Sequence, residues 1–410
     1  MLKPHLAVMR GRDPHEQGRA STPLELLFDL TFAFAFATAA DHLAKLVAEG
    51  HITPGLTAFS FAMFATCWAW VNFSWFASAY DTDDWAFRLT TMLQIVGVLI
   101  FTLGLPRVFD SIDKGQRPDN AIMVAGYVVM RVALVSQWLR AAWQDDERRR
   151  TCLTYALGIF VVQVGWVALV VLPPPAAALW PLMAVFITAE MVTPWIAESK
   201  DGGTPWHAHH IAERYSLLAI IALGEGLAGA VAAISAAVSR QGWNADAVLV
   251  CVAGAGLTFG LWWVYFMIPS APVLHAQRGK AFGWGYGHMV IFAAIAATGA
   301  GLRVTAAYIA NAAAIGPVTA VLSVVIPVAI YVASIYGLYA WLMRQGDPLH
   351  LGLLAGTAGL LAAALGLAAA GLSLAVCLMV VMTAPIVTVV GYELAGRRHA
   401  AEAMARVLAE

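Results

Sequence analysis

Apolar stretches of about twenty residues follow one another along this chain, each closed by a short polar, glycine or proline break. Twelve can be delimited, near 24–45, 55–79, 86–106, 121–143, 151–172, 178–196, 211–238, 245–269, 283–308, 317–343, 350–370 and 372–393. About twenty residues of helix match the hydrocarbon thickness of a bilayer, and in hydrocarbon every backbone amide must find its partner within its own segment. The pattern therefore predicts an all-α, polytopic membrane protein of about twelve transmembrane helices. The faintest breaks are the prolines at 173–175, between the fifth and sixth spans, and AAAGLS, between the eleventh and twelfth. Residues 1–22 are polar and basic and hold no apolar core followed by a small-residue cleavage site. The first span is thus expected to be the insertion signal.

Composition agrees with a lipid solvent: 60% of the 410 residues are hydrophobic and only 12% charged, about half the charge of a soluble domain. The net charge of −1 hides an uneven placement. With the N-terminus cytoplasmic, sixteen basic residues fall inside: Lys3, Arg10, Arg12, Arg19, Arg88, Arg140, Arg148, Arg149, Arg150, Lys200, Arg278, Lys280, Arg344, Arg397, Arg398 and Arg406. Five fall outside: Lys45, Arg107, Lys114, Arg117 and Arg240. Positive loops stay cytoplasmic, so both termini are expected inside a bacterial inner membrane. Arg131, Arg214 and Arg303 remain, within the spans.

The two halves of the chain resemble each other at nearly one offset. TAEMVTPWIAE (188–198) faces TAPIVTVVGYE (383–393), matching Thr188 with Thr383, Thr193 with Thr388 and Glu198 with Glu393 at an offset of 195. AWVNF (69–73) likewise faces WWVYF (262–266). Six spans per half give both the same polarity, which predicts a parallel repeat. The expected organisation is a cytoplasmic segment 1–22, six-helix repeats at 23–200 and 201–396, and a cytoplasmic tail 397–410.

Ionisable residues at bilayer depth cost about 2.5–3.5 kcal/mol each on insertion scales and so face a protein interior or a wet cavity. They concentrate in the first and seventh spans. In TPLELLFDLTFAFAF (22–36), Thr22 can be the N-cap, Pro23 the first helical residue and Glu25 the capping-box glutamate. Asp29, one turn deeper and flanked by Phe28, Phe32 and Phe36, needs either a salt-bridge partner, Arg131 or Arg214, or a path for an ion. HHIAERYSLLAIIALGEGLAG (209–229) stacks His210 on Arg214 at i, i+4, and Glu225 returns to that face about three turns on. Glu225, between two glycines, is the carboxylate expected to carry a proton. His209 and Glu213 form a second i, i+4 pair, too few ligands for a metal site. Glu190, His288 and Arg303 stand isolated, the last expected to snorkel from a helix end. Trp70 and Trp263 are either interface and packing residues or the walls of an aromatic pocket. Phe28, Phe32 and Phe36 are the candidate hydrophobic gate.

No phosphate-binding loop, haem-attachment motif or nucleophile elbow occurs, so neither an enzyme nor ATP-driven transport by this chain alone is expected. No cofactor, metal or nucleic-acid partner is expected either. The four cysteines are dispersed in apolar sequence and form no disulfide framework.

The motifs at 22–36 and 209–229 resemble those of the bacterial low temperature requirement protein A family, whose members carry an E-L-F-F-D-L-like first helix and an E-R-x-x-L-x-x-I-x-x-L-G-E-like seventh. The likeness extends over most of the chain, including the tryptophan-rich second span and Tyr286-Gly287-His288. It implies a polar signature at Glu25, Asp29, Glu213, Arg214, Glu225, His210 and His288, while Ser216 and Gly226 stand where other small or polar residues would be expected. Phe28-Asp29 also looks like part of the first-helix motif of the two-repeat, six-plus-six endolysosomal potassium channels. The leading expectation is a secondary transporter or permease for a small solute, proton-coupled through Glu225. A potassium-channel-like ion channel and a non-transporting membrane stress-response protein are the alternatives. Lipid and a small solute or ion are the expected partners, and a homo-oligomer is compatible with the sequence.

Overall fold

A computed structural model describes residues 6–344, 348–396, 401–402 and 404–406. Lys3, Arg397, Arg398 and most of the tail at 397–410 lie outside these. The described residues form helices and no strand. In chain order the helices are α1 (Pro23–Ala48), α2 (Ile52–Tyr80), α3 (Trp85–Asp113), α4 (Ala121–Gln144), α5 (Arg149–Val171), α6 (Ala176–Glu198), α7 (Ala208–Gln241), α8 (Ala245–Phe266), α9 (Ser270–Ala276), α10 (Ala281–Ile309), α11 (Pro317–Met343), α12 (Pro348–Ala369) and α13 (Leu374–Gly391). Among the described residues twelve helical segments are long and apolar enough to cross a membrane. The protein is a multi-pass membrane protein.

The helix ends follow local chemistry. Thr22 and Glu25 form the capping box: Thr22 N–H donates to Glu25 Oε2 at 2.8 Å and Glu25 N–H to Thr22 Oγ1 at 3.3 Å. Asp84, Asn244 and Ser373 cap α3, α8 and α13 through their side-chain oxygens. Both faint breaks are real: prolines precede α6, and Gly371, at φ +83°, turns the chain between α12 and α13. One element departs from the pattern. The eighth apolar run extends to about residue 269, yet α8 stops at Phe266 and the seven-residue α9 and a 3-10 turn (Arg278–Lys280) precede α10. Pro269 and Pro272 explain the interruption, because proline lacks the N–H that would continue the helix and restricts the residue before it.

The chain divides into two compact units, Met1–Ala35 with Ala65–Arg214, and Phe36–Phe64 with Tyr215–Glu410. Helices α1, α2 and α7 each contribute residues to both. In the first unit α3 packs on α4, α4 on α5 and α5 on α6. The α3–α4 contact is backbone against backbone, since a Cβ on Gly97 would lie 2.8 Å from the Gly126 carbonyl oxygen. Small residues allow such close approach where lipid offers no hydrophobic drive for helix association. In the second unit α10 packs on α11, α13 on α8 and α12, and α11 on α12. Leu27, Leu30 and Phe34 of α1 are exposed while Phe28, Phe32 and Phe36 are fully buried, as expected of a helix with one lipid-facing side.

Candidate functional site

In the first unit the opening turns of α1 and α7 bring four ionisable groups together. Arg214 is fully buried; its Nη1 donates to Glu25 Oε1 at 3.1 Å, its Nε to Asp29 Oδ2 at 3.1 Å and its Nη2 to Asp29 Oδ1. His210 Nε2 lies 3.3 Å from Glu25 Oε2, and Trp70 Nε1 on α2 donates to Asp29 Oδ1 at 2.6 Å. The guanidinium also lies 5.7 Å from the centres of the Trp70 and Phe73 rings. Glu25 and Asp29 are one turn apart on α1, and His210 and Arg214 one turn apart on α7, so the cluster consists of two stacked rungs.

The N-terminal segment lies across the end of this cluster. Arg19 donates to the terminal carbonyls of α2, Ser78 O at 2.5 Å and Ala77 O at 2.9 Å, and Ser21 N–H donates to Glu213 Oε2 at 3.2 Å. His207 Nε2 bonds the Glu16 carbonyl at 2.8 Å. Burial, together with the charge of Glu25, pushes the Asp81 carboxyl up to about 7, and burial brings Arg19 down to about 10. Burial also lowers the His207 imidazole, whereas the hydrogen bond from Arg12 lowers Glu16.

A second buried pair in this unit joins α4 to α6: Arg131 Nη2 meets Glu190 Oε2 at 3.0 Å, and Trp68 Nε1 donates to the same oxygen at 2.7 Å. The isolated Glu190 of the sequence is therefore paired. Phe28 packs against Phe32 and Phe73 with ring centres 5.1 and 4.1 Å away.

The second unit holds its own charged centre. Glu225 Oε2 accepts from Arg303 Nη2 at 2.7 Å, and Arg303 Nε meets Asp41 Oδ1 at 2.7 Å. Arg303 lies six residues inside the end of α10 and holds two carboxylates, where a snorkelling side chain was expected. A Cβ on Gly299 would come 2.9 Å from the Glu225 Cβ; glycine there permits the approach of α10 to α7 that makes the ion pair. His288 is buried, its Nδ1–H donating to the Trp284 carbonyl at 2.8 Å, with Tyr215, Tyr265 and Phe292 around the ring. Phe36 is fully buried, while Trp263 is half exposed.

The candidates thus divide. Glu25, Asp29, His210 and Arg214 meet in one cluster with Trp70, Glu213 borders it through Ser21, and His209 is exposed. Glu225 is bound to Arg303. The roles of Arg303, Asp41, Trp68 and Arg131 had no local signal, since Arg303 and Glu225 lie 78 positions apart.

Among known proteins, the chain is 24% identical over 301 residues to an uncharacterized protein of Rhizobium meliloti (strain 1021), covering 70% of this chain and 69% of the relative. No solved structure matches it. Residues 20–385 match the bacterial low temperature requirement A proteins (LtrA), a span that takes in both charged centres, and the chain belongs to that family.

Proposed function

We propose that the protein is a cation-coupled secondary transporter or permease for a small solute, with α1 and α7 carrying the coupling groups. One observation supports this above the others. Both charged centres set two carboxylates against one arginine: Glu25 and Asp29 against Arg214, and Asp41 and Glu225 against Arg303. With all groups ionised each keeps one negative charge in excess; Glu25 and Asp29 are fully buried and Glu225 nearly so, whereas Asp41 is 58% exposed, and a buried excess charge in a membrane protein calls for a proton or another small cation. The Arg131–Glu190 pair is balanced and reads as structural. On this reading the chain is not an enzyme, its partners are lipid and a small solute, and it resides in a bacterial inner membrane with cytoplasmic termini.

The test is uptake into proteoliposomes, screening small solutes with a trapped pH indicator. Saturable uptake accompanied by proton movement is expected. In Glu225→Gln coupling should be lost while folding persists, because the amide oxygen can still accept from Arg303. Non-saturating ion flux without proton movement would favour the channel alternative, and unchanged coupling in Glu225→Gln would remove that residue from the mechanism.

A further inference from the structure

The upper rung of the first centre contains polar atoms that the ion pairs leave over. The registry comes from the hydrogen bonds. Trp70 on α2 bonds Asp29, and Ser78, two turns on, accepts from the His207 N–H at 3.0 Å. Ser74 is midway between Trp70 and Ser78 on the same helical face. It therefore stands level with Glu25 and His210, one turn above Asp29 and Arg214. Ser74 and His210 are fully buried, yet among the described residues Ser74 Oγ and His210 Nδ1 make no hydrogen bond, and neither does the buried Ser21 Oγ one turn before Glu25. Buried polar atoms left over in this way are ordinarily bridged by internal water.

We propose that Ser74 and His210 Nδ1 hold an internal water, and that this water, the imidazole and the Glu25 carboxylate on the far side of the ring together bind the one exchangeable proton of the first centre. This extends the transport reading to the identity of its coupling ion. A metal cation suits the rung less well. Glu25 Oε1 is taken by Arg214, and Oε2 by the Thr22 N–H and His210, leaving a hydroxyl and a ring nitrogen. With Nε2–H directed to Glu25, Nδ1 is an acceptor and suits a water that both donates and accepts. A proton arriving on the water passes to Nδ1 while the Nε2 proton moves to Glu25. The products are a neutral imidazole carrying its hydrogen on Nδ1 and a neutral carboxylic acid; one proton is gained and nothing else changes. The other charged groups about the rung are Asp29 and Arg214 below, Glu16 and Arg19 of the N-terminal segment, Asp81 after α2, His207 just before α7 and Glu213 on it. Asp81, buried just after α2 and pushed up to about 7, is a group that can exchange protons with the rung.

The test is infrared difference spectroscopy on the full chain in nanodiscs, cycling between mildly alkaline and mildly acidic buffer, in ordinary and heavy-oxygen water. An internal-water band that shifts with the oxygen isotope is expected, together with a carboxylic-acid band on acidification of which one component, distinct from those of Asp81 and Glu225, is lost in Glu25→Gln. Ser74→Val, which fills the water's place, should lose the water band. Ser74→Ala removes only the hydroxyl that would bond the water, breaks no hydrogen bond among the described residues, should fold, and should shift that band. Replacing choline by sodium at fixed pH should change nothing. The proposal is overturned by the absence of an isotope-sensitive band, by a wild-type spectrum in Ser74→Ala, by an acid band that in both Glu25→Gln and His210→Gln is unchanged from wild type, or by suppression of the Glu25-dependent component with sodium. No flux is measured, so a protein that transports nothing could still satisfy this test.

Discussion

Neutralising Glu190 should cost the fold far more than neutralising Asp29, although both carboxylates are buried and both hold an arginine. Glu190 is the carboxylate partner of Arg131, and the pair is 3–4% exposed. Glu190→Gln keeps an oxygen for the Trp68 N–H but strands a buried guanidinium, at about 3–5 kcal/mol. Arg214 is different, because Glu25 still faces it at 3.1 Å when Asp29 is neutral. Asp29→Asn therefore forfeits charge-assisted hydrogen bonds worth about 1.5–3 kcal/mol, and relief of the surplus negative charge offsets part of that. The assay is equilibrium unfolding in mixed micelles, followed by tryptophan fluorescence. A double-mutant cycle sharpens it: Arg131→Met with Glu190→Gln should recover most of the loss, since no unpaired charge remains. The argument fails if Glu190→Gln is as mild as Asp29→Asn, or if the double variant is no better than the worse single one.

Gly299→Ala should push α10 from α7, weaken the Arg303–Glu225 pair and destabilise the protein by about 1–3 kcal/mol in the same assay, as overpacking does. Asp81 makes stability depend on pH. Its carboxyl is raised in the fold from 3.8 to about 7, so the folded state binds more proton than the unfolded, and stability should fall as pH rises through that window. Asp81→Asn should flatten the slope, measured as unfolding midpoints across pH. A reporter fused after Glu410 should be active only in the cytoplasm, and one in the 107–120 segment only outside; the reverse pattern would refute the orientation drawn from the basic residues.

The twelve spans, the capping box at Thr22 and Glu25 and the stacking of His210 on Arg214 were legible from the sequence alone. Each depends on interactions within one helix, where the bilayer fixes the length and 3.6 residues per turn fixes the faces. The partners of the buried charges were not. Asp29 could have taken Arg131 or Arg214, and the choice falls to Arg214, 185 positions away. Glu225, expected on one stripe with Arg214, is engaged by an arginine of α10 that the sequence assigned to the membrane surface. Helical periodicity says which way a residue faces along its own axis and nothing about which other helix lies opposite. That was decided by close packing, at glycines such as Gly299, and by the high cost of leaving a guanidinium unpaired in hydrocarbon.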